Sequence, residues 1–165
     1  MNWYATSGSG GQRPAGARGS DGDAMCGIAS MFDAVAGKIL VVGGSPSYDN
    51  VEATANAQVI TLAEPGSTAS VATLPAARSR RAFANSVVLP DGTVFITGGQ
   101  SFALPFSNNT ATLTPELFNP RTNTFTPLLA NAIPRTFHSV APLLPDGTIF
   151  SGGGGLYGGC STNHF

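Results

Sequence analysis

The sequence has few charges and no long apolar run. Only 10% of its 165 residues are charged, and the formal net charge is −1, whereas about 25% of the residues in an average soluble domain are charged. The densest basic cluster is Arg78, Arg80 and Arg81, which we expect in a solvated loop rather than in a stripe that binds phosphates. No stretch approaches the roughly 18 apolar residues of a membrane span. We therefore expect neither nucleic acid nor a membrane as a partner.

Cysteine is scarce, and the first residues do not form a signal peptide. Cys26 and Cys160 are the two cysteines. They could pair, both stay reduced, or include one that has lost its partner. Residues 1–11 lack the basic and apolar regions of a secretory signal. A secreted origin would therefore require a natural N-terminus upstream of this one.

Short apolar segments and glycines are plentiful, and they recur with a long period. Hydrophobic residues make up 42% of the chain, with 21 glycines and 12 prolines. Residues 89–99 read Leu-Pro-Asp-Gly-Thr, an apolar segment and a double glycine, and the pattern returns 55 residues later at 144–153. A weaker copy at 36–44 ends in a double glycine that precedes Gly98-Gly99 by the same interval. The chain therefore contains about three repeats.

Each repeat predicts several short antiparallel strands. Asp-Gly between apolar segments indicates a hairpin with a type I′ turn, joining strands near residues 86–89 and 93–97. We expect the double glycine to end the second strand and to let another backbone approach closely. Residues 116–125 read as strand, turn and strand, and residues 58–62 as a further strand. No long amphipathic helix is predicted.

Four strands in a 55-residue period are typical of a β-propeller blade, since kelch repeats have about 50 residues. The fold prediction is therefore all-β, a kelch-type propeller. An all-β sandwich would explain the short strands but not the recurrence. Three blades do not close a ring of four to eight, so residues 1–165 are predicted to form one incomplete propeller domain without an internal boundary.

Several segments, in order along the chain, carry a resemblance to a known family. They are residues 1–10, 23–27, 43–48, 60–66, 87–92, 143–155 and 161–165. Together they resemble the copper radical oxidases, the family that includes galactose oxidase. The resemblance implies a seven-bladed kelch propeller and secretion. It also implies oxidation of a primary alcohol of a carbohydrate, another primary alcohol or an aldehyde by O₂, which gives H₂O₂.

The same resemblance implies a copper ion held by two histidines and two tyrosines, one of them a radical tyrosine joined to cysteine by a thioether. His138 matches one copper histidine, although a histidine taken alone is as readily a buried or solvated side chain. Phe137 stands at the position of the axial tyrosine, the family's general base, so no catalytic residue is assigned here. No matching segment supplies the thioether-linked tyrosine or the second histidine.

Other matches concern the substrate and a disulfide. Tyr48 and Phe106 match aromatic residues of the family's substrate pocket, although a phenylalanine after proline is otherwise more often a packing residue. Asp49 replaces a glutamine that contacts the sugar, which argues against a preference for galactose. Cys160 lacks the partner of the family's Cys-x-x-Cys, and His164 has no assigned role.

The functional prediction has two levels. The longer protein is predicted to be a copper-dependent alcohol oxidase, whereas the 165 residues alone are predicted to be inactive because most copper ligands are missing. The alternative is a non-catalytic kelch propeller that binds carbohydrate or protein, which Phe137 favours. A third interpretation is a truncated product without an independent function.

Overall fold

In the computed structural model, residues 1–19, 21–22 and 24–154 are described, and these residues contain strands and turns without a helix. None of them belongs to a helix that is long and apolar enough to cross a membrane. The strands are β1 (Asn2–Ala5), β2 (Gly11–Pro14), β3 (Ile28–Asp33), β4 (Lys38–Val42), β5 (Val51–Glu52), β6 (Ala57–Thr61), β7 (Ser70–Thr73), β8 (Ala82–Val88), β9 (Val94–Gln100), β10 (Phe102–Ala103), β11 (Glu116–Asn119), β12 (Thr124–Pro127), β13 (Ser139–Val140) and β14 (Gly152–Gly153).

The predicted blades are present. Strands β3, β4, β6 and β7 form one four-stranded antiparallel sheet, here called blade A. Strands β8, β9, β11 and β12 form the next, blade B. A third unit begins with β13 paired to β14 and with a bridge between Leu143 and Ile149. The all-β propeller prediction is confirmed.

The main core lies between blades A and B. Leu40 and Val42 of β4 are each 1% exposed and belong to the same apolar cluster as Ile96 and Phe118 of blade B. Alternate residues of a strand point to opposite faces, and Val41 accordingly lies in a second cluster on the far side of blade A. Burying each such side chain contributes about 1.5–3 kcal/mol. Blade-to-blade packing therefore holds the described sheets together.

A hairpin of β1 and β2 covers that far side of blade A. The indole Nε1 of Trp3 donates a hydrogen bond to the Ser67 carbonyl at 2.6 Å. Met1 packs against the cluster of Val41, Ile60 and Ala69. The N-terminal segment is thus part of the folded unit.

The Asp-Gly turns differ from the predicted type I′ turn. Gly92 N donates to Leu89 O at 2.9 Å, and only Gly92, with φ of 84°, takes a positive φ, whereas Asp91 does not. The reason is Pro90, whose ring fixes φ near −65° and suits the first corner of a type I turn. A left-handed glycine then completes a three-residue loop with a bulge, and residues 144–148 repeat the arrangement.

The double glycines do permit close approach of another backbone, as predicted. A Cβ on Gly43 would collide with the carbonyl of Arg81, and one on Gly98 would collide with the carbonyl of Arg135. The same two carbonyls accept hydrogen bonds of 2.7 Å from the next glycines, Gly44 and Gly99. The predicted strand end is correct for β4, but β9 continues through its double glycine to Gln100.

Two arginines of the cluster, Arg78 and Arg80, are exposed, but the third is buried, which corrects the expected solvated loop. Arg80 forms an exposed ion pair of 2.8 Å with Glu52. Arg81 is 1% exposed and donates to Glu116 Oε1 at 2.8 Å and to the Gly98 carbonyl at 2.7 Å. Burial lowers the pKa of Arg81, and the hydrogen bond and charge of Glu116 oppose that shift. Arg81 is thus a structural tie inside blade B.

Candidate functional site

Two loops, one from each blade, meet at one end of the sheets. Each loop follows a double glycine, and they pair through β5 and β10, with Val51 opposite Ala103. Tyr48 lies just before β5 and Phe106 just after β10. Because the loops are joined by backbone hydrogen bonds, both aromatic residues are held at the same end of the blades.

Five rings gather there, and we call them the aromatic patch: Tyr48, Phe83, Phe106, Phe137 and His138. The Phe137 ring contacts the other four edge-on or stacked, with centroid distances of 4.9 Å to Phe106, 5.1 Å to Phe83 and 5.9 Å to Tyr48. Edge-to-face contacts at these distances are favourable for aromatic rings. The patch brings together Tyr48, Phe106 and His138, which the sequence singled out.

His138 is the exposed imidazole of the patch. It immediately precedes β13, its φ is 65°, and its ring stacks on Phe137 at 3.8 Å with an interplanar angle of 29°. The ring of Phe106 meets it edge-on at 5.7 Å. The imidazole therefore faces solvent while one of its faces lies on an apolar ring.

Phe137 packs where the family resemblance places a tyrosine. It is half-buried among Tyr48, Phe83, Phe106 and His138. A phenyl ring has no oxygen, so it can neither bind a metal ion nor accept a proton. Tyr48 carries the phenol of the patch, and its side chain is 43% exposed.

Phe83 was missed by the sequence analysis, although a signal for it exists. It lies 55 residues before His138, which is the repeat interval, and its φ of 60° is close to that of His138. Cys26, two residues before β3, also has a positive φ, 59°. Aligning the repeats strand by strand would have placed these three side chains at equivalent positions.

Asp49 lies beside the patch rather than in it. Its carboxylate accepts a hydrogen bond of 3.2 Å from Asn50 Nδ2, and its carbonyl accepts one of 2.9 Å from Ser47 Oγ. The side chain is exposed. Asp49 therefore places a negative charge next to Tyr48 at the rim of the patch.

Cys26 lies beneath the patch as a half-buried thiol that forms no disulfide with a described residue. It packs with Phe83 and with the buried Ala53, Ala82 and Ala103. Burial raises the pKa of Cys26, so its reactive thiolate form is disfavoured at neutral pH. Cys160 and His164 lie outside the described residues.

The described residues do not by themselves fit a copper ion. They contain no group of three or more His, Cys, Asp or Glu side chains arranged to hold a metal. Copper(II) favours tetragonal sites with several nitrogen or oxygen ligands, whereas the patch offers the single imidazole of His138. A copper site at this position needs ligands from other parts of the polypeptide.

Comparisons with known proteins identify the family of the chain. Two curated sequences of galactose oxidase, from Gibberella zeae and from its strain PH-1, are each 52% identical to the chain, over all of it and over 25% of the relative. The chain thus spans about a quarter of the length of these curated relatives. A solved structure, a novel fungal alcohol oxidase with catalytic diversity among the AA5 family in complex with copper, superposes with a TM-score of 0.94 at 49% identity, covering 99% of this chain and 34% of that one. The model of the glyoxal oxidase N-terminus family matches residues 9–159, and the chain belongs to that family.

Proposed function

We propose that this chain is part of a copper radical oxidase, a single incomplete propeller domain that contributes one copper ligand and one wall of the substrate site. The reaction would be R–CH₂OH + O₂ → R–CHO + H₂O₂, in which the alcohol loses two electrons and two protons and O₂ gains them. The observation that carries the proposal is the exposed imidazole of His138, which stacks on Phe137 and meets Phe106 edge-on within the aromatic patch. Galactose oxidase and the copper-complexed alcohol oxidase, the relatives reported above, support the same class.

The roles within the patch follow from the chemistry of the side chains. His138 would bind copper through an imidazole nitrogen. Tyr48 and Phe106, 43% and 46% exposed, would contact the apolar faces of a substrate. Asp49 would form the polar edge of the pocket and accept hydrogen bonds from substrate hydroxyls. A carbohydrate alcohol, another primary alcohol or an aldehyde would suit this combination, and we propose a secreted protein.

Phe137 limits the chemistry that the patch can perform alone. General bases typically contribute about 10²–10⁴-fold to rate, and Phe137 has no atom that accepts a proton. Another group would therefore have to serve as the base, and the remaining copper ligands would come from outside the described residues. The alternative is a propeller that binds carbohydrate or protein without catalysis. Phe137 favours this alternative, but the similarity of the chain to two oxidases does not.

Copper binding tests the proposal. Cu(II) titrations followed by calorimetry and EPR would compare the wild-type chain with His138→Ala and with His164→Ala, the same change at the other histidine. We expect no stoichiometric site in the 165 residues. In a longer polypeptide that completes the propeller, we expect one copper, which is lost in His138→Ala and kept in His164→Ala.

Two results would contradict this expectation. If the longer polypeptide with an intact His138 binds no copper, the oxidase proposal is wrong. If the 165 residues alone bind one copper tightly and His138→Ala abolishes it, sufficient ligands lie within this chain and the assignment of missing ligands is wrong.

A further inference from the structure

In blades A and B, the residue after the double glycine is polar and fully buried. Ser45 and Gln100 lie 55 residues apart, and both are 0% exposed. Buried polar groups lower stability unless they form hydrogen bonds, so their partners show what these side chains do. In both blades the partners are carbonyls of the loop that carries an aromatic residue of the patch.

In blade A, Ser45 holds the peptide that precedes Tyr48. Its Oγ donates to the Ser47 carbonyl at 2.6 Å, and the Met25 carbonyl lies farther away at 3.3 Å. Because the hydroxyl has one hydrogen, the shorter contact is the stronger bond. The Tyr48 ring is therefore fixed through the backbone directly before it.

In blade B, Gln100 does the same for Phe106 over a longer loop. Both hydrogens of its Nε2 are used, one on the Ser107 carbonyl at 3.0 Å and one on the Asn109 carbonyl at 3.0 Å. The longer side chain matches the longer span, since Ser107 is seven residues away whereas Ser47 is two residues from Ser45. This amide therefore holds the peptide that joins Ser107 to Asn108, one residue after Phe106.

The Ser107 carbonyl is held from a second side as well. Thr136 is 1% exposed, and its Oγ1 donates to the Ser107 carbonyl at 3.2 Å. A carbonyl oxygen has two lone pairs, so it can accept from Gln100 and Thr136 together. Because Thr136 immediately precedes Phe137 and His138, this carbonyl ties the position of Phe106 to that of the imidazole.

We propose that Ser45 and Gln100 are positioning residues that set the two aromatic walls, Tyr48 and Phe106, relative to Phe137 and His138. The consequence for substrate selection rests on the proposed function, whereas the positioning itself does not. In an active oxidase, loss of either anchor would raise KM more than it lowers kcat, because the pocket wall moves while the copper ligand stays.

The buried Oε1 of Gln100 makes a test possible, because it has no hydrogen-bond partner among the residues that the structure describes. Gln100→Met removes the two donors and also this unpaired acceptor while keeping the side-chain length. Removing an unpaired buried acceptor offsets part of the cost of the lost bonds. We therefore expect the loop to loosen more than the whole fold is destabilised.

The measurement is NMR of the 165-residue chain without copper, using contacts between ring protons. In Gln100→Met we expect the Phe106–His138 contact to weaken or vanish and amide exchange over 101–110 to accelerate, while the Phe137–His138 contact persists. Ser45→Ala should instead weaken the Tyr48–Phe137 contact. Gln58→Met is the matched control, because Gln58 is also buried, 3% exposed, but lies in β6; it should leave all these contacts unchanged.

Unchanged Phe106–His138 contacts and amide protection in Gln100→Met would overturn the proposal, as would equal effects in Gln58→Met. If Gln100→Met does not fold, Thr136→Val replaces it, since this change is close in shape and removes the other bond to the Ser107 carbonyl. The same contact should weaken there, and its persistence would also overturn the proposal. No readout involves copper or turnover, so failure here is distinct from failure of the oxidase proposal.

Discussion

Leu40 and Phe150 occupy the same position of the repeat in blade A and in the third unit, yet their surroundings are opposite. Leu40 is 1% exposed because blade B packs over it, whereas Phe150 is 53% exposed beside Gly152. Phe95, the copy in blade B, is intermediate. The repeat sequence therefore specifies the strand and the apolar position, but burial comes from the neighbouring blade.

Arg81 of blade B and Arg135 of the third unit, which make equivalent hydrogen bonds, show the same contrast. Arg81 donates to the Gly98 carbonyl at 2.7 Å, and Arg135 donates to the equivalent Gly153 carbonyl at 2.9 Å. Arg81 also pairs with buried Glu116, whereas Arg135 has no acidic partner among the residues that the structure describes. The two equivalent arginines thus differ in whether a neighbouring strand supplies a carboxylate.

The largest expected effect comes from this pair of arginines. Arg81→Met leaves the carboxylate of Glu116 buried without its cation, and removing one partner of a buried pair costs about 3–5 kcal/mol. Arg135→Met removes one exposed hydrogen bond and should cost no more than about 0.5–1.5 kcal/mol. Urea unfolding followed by circular dichroism measures both. Similar losses would show that the acidic partner is not what distinguishes the two blades.

The apolar copies give the next effect. Leu40→Ala should lower the free energy of unfolding by about 2–5 kcal/mol, because it leaves a cavity between the blades. Phe150→Ala removes a larger but exposed ring and should change it by at most about 0.5 kcal/mol. Thermal and urea unfolding of the two variants test this. A large loss in Phe150→Ala would mean that the ring is covered in solution.

The sequence correctly predicted those features that depend on residues within a single repeat. The period, the strands near residues 86–97 and 116–125, and the close approach at the double glycines were predicted because apolar alternation and glycine chemistry are local. The turn type was wrong because Pro90 overrides the Asp-Gly preference. Phe83 was not singled out, and Arg81 was wrongly expected in a solvated loop, because their partners come from other strands and loops.

The residues of the candidate site also divide into those that the sequence indicated and those that it did not. Resemblance pointed to Tyr48, Phe106 and His138, and the structure places their rings in one patch. Their roles remain proposals. The anchors Ser45 and Gln100 gave no sequence signal, since a polar residue after a glycine usually indicates an exposed loop. Their burial depends on loops folding back over them, which no local pattern reveals.

The smallest expected effect concerns the Asp-Gly turn, which should behave in the same way in blade B and in the third unit. Asp91 accepts hydrogen bonds from Thr93 N and Oγ1 at 2.9 and 2.7 Å, and Asp146 accepts the same pair from Thr148 at 3.0 and 2.7 Å. The side-chain bond, followed by the backbone bond, lowers the pKa of each carboxyl. These contacts lie within a single turn, so the neighbouring blade should not matter.

We therefore expect Thr93→Val to raise the pKa of Asp91, and Thr148→Val to raise the pKa of Asp146, toward the ordinary value of about 3.9. Because each folded-state pKa is lowered, its contribution to stability is present above the unfolded value and is lost as the pH falls through the folded one. Carbon-detected NMR titration of the two carboxyl groups measures the shifts. Equal shifts would mean that turn chemistry is independent of the blade, whereas a shift at Asp91 alone would extend the influence of the neighbouring blade to the turns.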